Sequence, residues 1–286
     1  MRLLLLGATG LAGQAFHHVA QERGFDVRSV ARTGADIACD ISDAASLQDI
    51  LSVEQPDAVV NAVALVNLAA CDAEPGQAWA VNARPAALLA NWSQKTGQPF
   101  LHVSTDHFFA GSAPRAHSET AQVTLVNEYA RSKFAGEAMA LTSPHALALR
   151  TSIVGIRAWQ APSFAEWAIQ AVRADEEMTL FRDAWTSSID TPSFASAALD
   201  LLFNHNIRGL VNLAAAEVYS KEDFIREIAL QLGCTLSRAT SGSVHDVLPR
   251  RASSLGLDVS YAQKILPYDL PVLSQVVAKI IKQAGL

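Results

Sequence analysis

A loop with three regularly spaced glycines near the N-terminus constrains the fold of this chain more than any other feature. The loop directly follows the apolar run Arg2–Leu6 and opens a helical stretch, Leu11–Arg23. Glycine lets the backbone turn sharply and approach a ligand closely, and free N–H groups at a helix N-terminus attract phosphate. This context predicts a dinucleotide-binding site, whose pyrophosphate-binding residues are Gly7, Thr9, Gly10, Leu11 and Gly13.

From residue 1 to about 150, short apolar runs alternate with longer helical stretches, a pattern typical of a parallel sheet covered by helices. The expected strands are Arg2–Leu6, Asp26–Ala31, Ala58–Ala62, Phe100–Ser104 and Ala146–Arg150. The expected helices are Leu11–Arg23, Ala44–Leu51, Gln77–Lys95 and Glu128–Leu141, with Asp43 or Ser42 and Asn127 as N-caps. The pattern predicts an α/β fold with a Rossmann-type, doubly wound parallel sheet.

Beyond Arg150 the alternation is less regular. The expected elements there are the helix Ser163–Arg173, the strand Met178–Phe181, the helix Ser193–Phe203, the strand Gly209–Leu213 and the helix Lys221–Leu232. Because two of these elements could join the main sheet, we expect a smaller substrate-binding lobe that is partly interwoven with the first domain. We therefore divide the 286 residues into an NAD(P)-binding domain, 1–155, and this lobe, 156–286.

The composition argues against several classes of protein. The formal net charge is −6 and the basic residues are scattered, so we expect no nucleic-acid partner. The three cysteines include no C-x-x-C pair and the histidines are dispersed, so we expect neither a disulfide framework nor a metal site. No apolar stretch approaches the roughly 20 residues of a membrane helix. We expect a cytoplasmic protein without a membrane partner.

The end of the second expected strand bears on the choice of cofactor. An acidic residue at this place would bind the adenosine ribose hydroxyls of NAD. This chain has Arg32 instead, and a guanidinium group suits the additional phosphate of NADP. Asp36 nearby keeps NAD as an alternative, and Asp40 and Ile41 lie where the next loop could meet the adenine ring. We predict NADP as the cofactor.

A tyrosine and a lysine supply the chemistry of proton transfer. Tyr129 and Lys133 stand four residues apart on an expected helix, so both project from one face. A nearby ammonium group stabilises the phenolate and makes the tyrosine a better acid towards a carbonyl oxygen. Ser104 and Thr105 end the fourth expected strand, at the carboxyl edge of the sheet where ligands of open α/β folds bind. A hydroxyl group there can donate to the substrate oxygen.

Together these segments resemble the extended short-chain dehydrogenase/reductase family, and within it the dTDP-4-dehydrorhamnose reductase branch. The segment Ser104–Asp106 is similar to the S-T-D-Y-V-F of that branch, and 129–137 is similar to its Y-G-x-x-K-x-x-G-E. The segments 149–152 and 251–258 resemble its R-T-S and R-P-x-N-x-x-L-D. The resemblance covers nearly the whole chain. The chain departs from the branch at His107, which replaces a tyrosine, and at Ala130, Leu125 and Ala252.

The resemblance assigns roles to residues by their position in these motifs. The implied catalytic residues are Thr105, Tyr129 and Lys133, with Asn82 supporting the lysine. The implied cofactor-binding residues, besides the glycine loop, Arg32, Asp40 and Ile41, are Ala62, Val63, Ala64, Ser104, Tyr129 and Lys133. The implied substrate-binding residues are Thr105, Asp106, His107 and Arg251. The resemblance implies NADPH-dependent reduction of a keto group on a nucleotide-linked deoxysugar.

Two other functions stay open at the level of sequence. The first is a nucleotide-sugar epimerase or dehydratase that retains NAD, against which Arg32 argues. The second is a non-catalytic regulatory subunit that binds NAD(P), since the branch also resembles the regulatory subunit of methionine adenosyltransferase. The alanine-rich helices 77–95 and 128–141 carry more apolar residues than one sheet-facing stripe needs. We therefore expect a homodimer formed through these two helices.

Overall fold

The computed structural model describes residues 1–111, 113–157, 161–246 and 253–286. Its strands are β1 (Arg2–Leu6), β2 (Asp26–Ala31), β3 (Ile37–Ala38), β4 (Ala58–Asn61), β5 (Phe100–Val103), β6 (Ala146–Arg150), β7 (Ile153–Val154), β8 (Met178–Phe181), β9 (Trp185–Thr186), β10 (Ile189–Asp190), β11 (Gly209–Asn212), β12 (Tyr219–Ser220) and β13 (Ala239–Gly242).

The α-helices of the described residues are α1 (Leu11–Glu22), α2 (Ala44–Glu54), α3 (Leu68–Ala73), α4 (Pro75–Asn82), α5 (Arg84–Thr96), α6 (Glu128–Ala140), α7 (Phe164–Arg173), α8 (Thr191–Leu199), α9 (Lys221–Leu232), α10 (Ser260–Ile265) and α11 (Leu273–Gln283). A π-helical turn, Asp200–Asn204, continues α8, and a short 3-10 helix spans Val244–Asp246. No helix in this part of the chain is both long and apolar enough to cross a bilayer.

The central sheet has seven strands in the order β11-β6-β5-β4-β1-β2-β3. The neighbours from β6 to β3 pair in parallel. The chain runs outward from β1 to β3 and then returns to β4 on the other side of β1, which is the doubly wound arrangement expected from the sequence. In such sheets the ligand crevice lies where the strand order reverses, at the carboxyl ends of the two strands involved. Here those strands are β1 and β4.

Continuous apolar runs explain why the central strands are buried on both faces. The last four residues of β1 and all of β4 are buried. The helices α2 and α5 cover one face, where Leu47 and Leu89 join a cluster with Leu4, Val59 and Phe100. Burying each such side chain contributes about 1.5–3 kcal/mol relative to leaving it exposed, so the site rests on a well-packed sheet.

The prediction of a single helix over Gln77–Lys95 was wrong, because the segment forms two helices that meet at Ala83. Pro85 stands at the beginning of α5. Proline lacks a backbone N–H and its ring clashes with the carbonyl four residues earlier, so a helix cannot run through this position without a kink or a break. The N-caps were confirmed, since the side chains of Asp43 and Asn127 accept hydrogen bonds from Ala45 and Ala130.

The chain divides into two compact units, each built from several segments. Unit 1 comprises Met1–Thr105, Asn127–Arg150 and Ala195–Val211, and contains the central sheet. Unit 2 comprises Asp106–Val126, Thr151–Phe194 and Asn212–Leu286. Its core lies among α7, α9 and α11 and includes Val172, Ile228 and Val277. The sequence predicts one boundary, at residue 155, with a lobe partly interwoven with the first domain; in the structure the chain passes between the two compact units at five places.

Candidate active site

The glycine loop lies at the point where the strand order reverses, and its backbone is tightly packed. Gly7 has a positive φ of 82° and donates to the carbonyl of Val30 at 2.8 Å. A Cβ atom on Gly13 would lie 2.0 Å from the Gly7 carbonyl oxygen, so only glycine fits there. Gly10 caps α1 without a side-chain hydrogen bond. The first N–H groups of α1 are therefore left for a ligand, as a phosphate-binding helix requires.

The loop after β2 presents the cation expected to select the cofactor. Arg32 is exposed, and no described residue forms a hydrogen bond or an ion pair with it. The carboxylate of Asp36, in contrast, accepts hydrogen bonds from the backbone and the hydroxyl of Ser29 at 2.9 and 2.7 Å. These bonds lower the pKa of Asp36 and direct its carboxylate towards β2. Arg32 is thus the side chain of this loop that is available to an anion.

Asp40 and Ile41 follow β3 and differ in exposure. The carboxylate of Asp40 accepts from the backbone and hydroxyl groups of Ser42, and these bonds lower its pKa; the charge of nearby Arg32 adds a smaller contribution. Ile41 is buried in the core of unit 1. Of the two residues expected near the adenine ring, Asp40 is the exposed one.

The segment after β4 forms the other wall of this crevice. A Cβ atom on Gly7 would lie 3.0 Å from the backbone of Ala62 and Val63, which shows how closely the two loops approach. The side chain of Asn61 holds this turn, because its Oδ1 accepts from the Val63 N–H at 3.2 Å. Ala62, Val63 and Ala64, expected to line the cofactor, are all partly exposed at this edge.

A buried histidine that was not predicted as a site residue supports the same turn. Asn61 Nδ2 donates to Nδ1 of His102 at 3.1 Å, which requires a neutral imidazole protonated at Nε2. Burial, together with the charge of Lys133, holds the pKa of His102 well below 6.5. His102 lies within an apolar run on a central strand, so the sequence around it is that of a core residue and gives no sign of a site.

Helix α6 carries the two residues expected to perform proton transfer. Tyr129 and Lys133 lie four residues apart and are 8% and 1% exposed, respectively. Tyr129 packs against Cys71 and Ala78 of the neighbouring helices. Gly136 allows α6 to approach α4 closely, since a Cβ atom there would lie 2.2 Å from the Asn82 carbonyl oxygen. The position of the helix is therefore set by tight backbone packing.

Lys133 lies directly beneath the end of β5. Its Nζ donates to the carbonyl of Val103 at 2.5 Å. The pKa of Lys133 is lowered from 10.5 to about 8, because burial lowers it by more than the Glu137 carboxylate raises it. Thr105, which is buried, follows Val103 by two residues. The last residue of β5, Val103, thus contacts the helix face that carries Lys133, and Thr105 follows it two residues later in the chain.

The role expected for Asn82 does not take the form of a direct hydrogen bond to Lys133. Its amide group accepts from the Leu65 N–H at 2.8 Å and donates to the Leu65 carbonyl and to the Ser132 hydroxyl, at 3.2 and 3.0 Å. All these partners lie beside the lysine on α6 or in the loop after β4. Asn82 therefore joins that loop to α6, and the lysine binds the end of β5 instead.

Ser104, expected to bind the cofactor, is buried, and its hydroxyl donates to a carboxylate. Ser104 Oγ lies 2.7 Å from Oε2 of Glu137, which also receives a bidentate contact from Arg150. Ser104 therefore anchors β5 to α6. Glu137 and Arg150 were not predicted as site residues. The four-residue spacing from Tyr129 to Lys133 and on to Glu137 could have placed the glutamate on the same stripe.

The expected substrate-binding residues Asp106 and His107 belong to unit 2. Asp106 is buried, and its backbone N–H donates to the carbonyl of Thr151 at 3.0 Å. His107 is partly exposed. Arg251, the third residue of this group, lies outside the described residues. No set of three or more His, Cys, Asp or Glu side chains within the described ranges is placed to hold a metal ion.

Known proteins resemble this chain over nearly its full length. The family model of the RmlD substrate binding domain matches residues 1–284. The chain belongs to this family. It is 28% identical to a "Probable low-salt glycan biosynthesis reductase" from Haloferax volcanii, covering 98% of this chain and 97% of the relative. It is 25% identical to the dTDP-4-dehydrorhamnose reductase of Salmonella typhimurium, covering 95% and 94%.

A solved structure confirms the fold of this RmlD-family protein. The crystal structure of dTDP-4-dehydrorhamnose reductase from Bacillus anthracis, in complex with NADP, superposes with a TM-score of 0.87 at 18% identity and covers 99% of both chains. Membership of the family makes the chain an extended short-chain dehydrogenase/reductase, and hence an NAD(P)-dependent oxidoreductase. The geometry described above fits this class, because the glycine loop at the N-terminus of α1 and a Tyr-Lys pair lie in one unit.

Proposed function

We propose that this RmlD-family protein uses NADPH to reduce a keto group on a nucleotide-linked deoxysugar. The observation that carries the proposal is the placement of Lys133. Its ammonium group is buried on the stripe of α6 that also carries Tyr129, and it is hydrogen bonded to the strand end that leads to Thr105. A buried lysine in this position has its use in chemistry rather than in stability, because burial of an ammonium group is costly.

The residues of unit 1 fit a dinucleotide. The N–H groups of α1 face the loop where Gly13 leaves no room for a Cβ atom, and Arg32 is available to a 2′-phosphate. A carboxylate at this loop would favour NAD, but that of Asp36 is held by Ser29. When bound, the reduced nicotinamide would supply a hydride to the keto carbon. Ala62 to Ala64 and Ser104 are proposed to line the cofactor.

The protein's own residues would supply the proton and stabilise the developing charge. With a pKa of about 8, Lys133 is largely protonated at pH 7, and its charge favours ionisation of the Tyr129 phenol. The Tyr129 hydroxyl would then donate its proton to the keto oxygen, and Thr105 would donate a hydrogen bond to the same oxygen. Asp106, His107 and Arg251 stay the residues proposed to bind the sugar nucleotide.

The test is incubation with NADPH and a panel of nucleotide-linked 4-keto sugars, including dTDP-4-dehydrorhamnose, while the absorbance of reduced nicotinamide is followed. We expect oxidation of NADPH with at least one member of the panel. Tyr129→Phe should lower kcat by about 10²-fold or more and leave NADPH affinity nearly unchanged, since the hydroxyl acts as an acid. Conversion of a sugar without net NADPH oxidation would favour a retained NAD and an epimerase. Oxidation that survives in Tyr129→Phe would contradict the role of the tyrosine.

A further inference from the structure

A buried ion pair joins the helix that carries the Tyr-Lys pair to two strands of the sheet. Glu137 of α6 and Arg150 of β6 form a bidentate contact, with Nη2 2.6 Å from Oε1 and Nε 3.0 Å from Oε2. Their side chains are 2% and 4% exposed. The hydroxyl of Ser104, at the end of β5, donates to the same carboxylate at 2.7 Å. One carboxylate therefore holds α6 to the ends of β5 and β6.

The position of Glu137 on the helix relates it to Lys133. Tyr129, Lys133 and Glu137 lie at intervals of four residues, so they form one buried stripe of α6. Lys133 binds the carbonyl of Val103, and Glu137 binds the hydroxyl of Ser104, the next residue of the strand. The two side chains therefore contact adjacent residues of β5. Breaking the contact between Glu137 and Ser104 would therefore alter the position of Lys133 relative to the Val103 carbonyl.

The other titratable groups around Lys133 cannot replace the charge of Glu137. His102 of β5 is neutral, and Arg150 of β6 is a cation. Helix α4 has no titratable side chain. The titratable side chains of α3 and α5 are Cys71, Asp72, Arg84 and Lys95, of which only the Cys71 thiol is buried. Glu137 is the carboxylate that raises the pKa of Lys133 against the effect of burial.

We infer that Glu137 is a positioning residue for this enzyme: fixed by Arg150, it anchors the catalytic helix to β5 and supplies the negative charge that keeps the Lys133 ammonium group in its buried site. The role of the Lys133 ammonium group in turnover rests on the proposed function. The inference itself concerns the folded protein and can be tested without a substrate.

The test is the pKa of Lys133, measured by NMR on protein with ¹³C-labelled lysine. The chain has six lysines, and Lys133→Met identifies the resonance. The wild type should titrate at about 8. Glu137→Gln keeps the size of the side chain but removes its charge, and should lower the pKa of Lys133 by about one or more, as loss of a close opposite charge does. Glu137→Asp keeps the charge, and its lysine should titrate near the wild-type value.

Removing one partner of a buried ion pair is destabilising, so folding must be checked by circular dichroism. If Glu137→Gln does not fold, the double variant Glu137→Gln with Arg150→Met replaces both charges by neutral side chains of similar size, a change that buried pairs often tolerate. It should also lower the pKa of Lys133, but by less than Glu137→Gln does, because the Arg150 cation is removed as well. An unchanged pKa in a folded, neutral variant would overturn the inference. Absence of turnover in the wild type would overturn the proposed function alone, since the lysine pKa does not depend on it.

In the active enzyme the same substitution has a consequence that a merely structural role would lack. As the pKa of Lys133 falls, the alkaline side of the pH profile of kcat should move to lower pH in Glu137→Gln. Glu137→Asp should lower activity at all pH values without this displacement. If the alkaline side of the pH profile moved equally in both variants, or in neither, the charge of Glu137 would not be the cause of the displacement.

Discussion

Replacing Lys133 by methionine should stabilise the protein at neutral pH while it removes activity. The ordinary lysine pKa of 10.5 is lowered to about 8 in the folded protein. The difference is about 2.5, which at about 1.36 kcal/mol for each pKa unit corresponds to about 3 kcal/mol. This is the free energy that the folded state loses by keeping a protonated lysine at this position. Methionine has a similar length and carries no charge.

The sign follows from proton binding in the two states. Below pH 8 the lysine is protonated in both the folded and the unfolded protein, and the full cost is present. Between pH 8 and 10.5 the unfolded state binds the proton more tightly, so the stability of the wild type rises with pH. Lys133→Met lacks this rise. The stability advantage of the variant should therefore shrink by about 3 kcal/mol as the pH increases from 7 to about 10.5.

Urea denaturation at a series of pH values, followed by circular dichroism, measures this difference directly. Groups that do not interact with Lys133 titrate alike in both proteins and cancel in the comparison. The comparison is made in the Tyr129→Phe background, so that the phenol whose ionisation Lys133 favours does not contribute. Lys95→Met, at an exposed lysine on α5, is the matched control and should differ from wild type by an amount independent of pH. A difference between Lys133→Met and wild type that stays constant or widens with pH would show that folding does not lower the pKa of Lys133.

Three further predictions concern the cofactor loop and the assembly. Gly13→Ala places a Cβ atom 2.0 Å from a carbonyl oxygen, so it should destabilise by about 1–3 kcal/mol and weaken NADPH binding in a fluorescence titration. Gly76→Ala, with open space around it on a helix, should do neither. Arg32→Ala should weaken NADPH binding by about 10-fold and leave NADH affinity unchanged in calorimetry, since a charge-assisted contact is lost; equal losses for both cofactors would contradict this role. Light scattering should give twice the chain mass of 30.5 kDa, and Met139→Glu, at an exposed position of α6, should reduce it, whereas a monomeric wild type would exclude the dimer.

The features that the sequence predicts correctly are those with a local physical cause. The strands β1, β2 and β6 were predicted to the residue; β1 and β6 are mostly apolar and buried, and β2 ends in the buried apolar pair Val30 and Ala31. The glycine loop was recognisable because strand, glycines and helix are contiguous. The helix pair Tyr129 and Lys133 followed from a spacing of four residues.

The features that the sequence does not predict depend on contacts between distant segments. The contact of one carboxylate, that of Glu137, with both Ser104 and Arg150 needs the parallel alignment of β5 with β6. The contact of Asn82 with Leu65 and Ser132 needs α4 and α6 to approach each other at Gly136. The break between α4 and α5 had a local signal, Pro85, but the alanine-rich helical pattern on both sides concealed it.

We propose that a hydride passes from NADPH to a sugar keto carbon at the site formed by Tyr129 and Lys133. The most direct measurement is turnover with NADPH that carries deuterium at the transferable position, on the keto sugar that the panel identifies, with the product examined by mass spectrometry and NMR. We expect one deuterium at the former keto carbon in wild type, and incorporation that is slower by at least about 10²-fold in Tyr129→Phe. A product without deuterium, or an altered sugar formed while NADPH is not consumed, would contradict it.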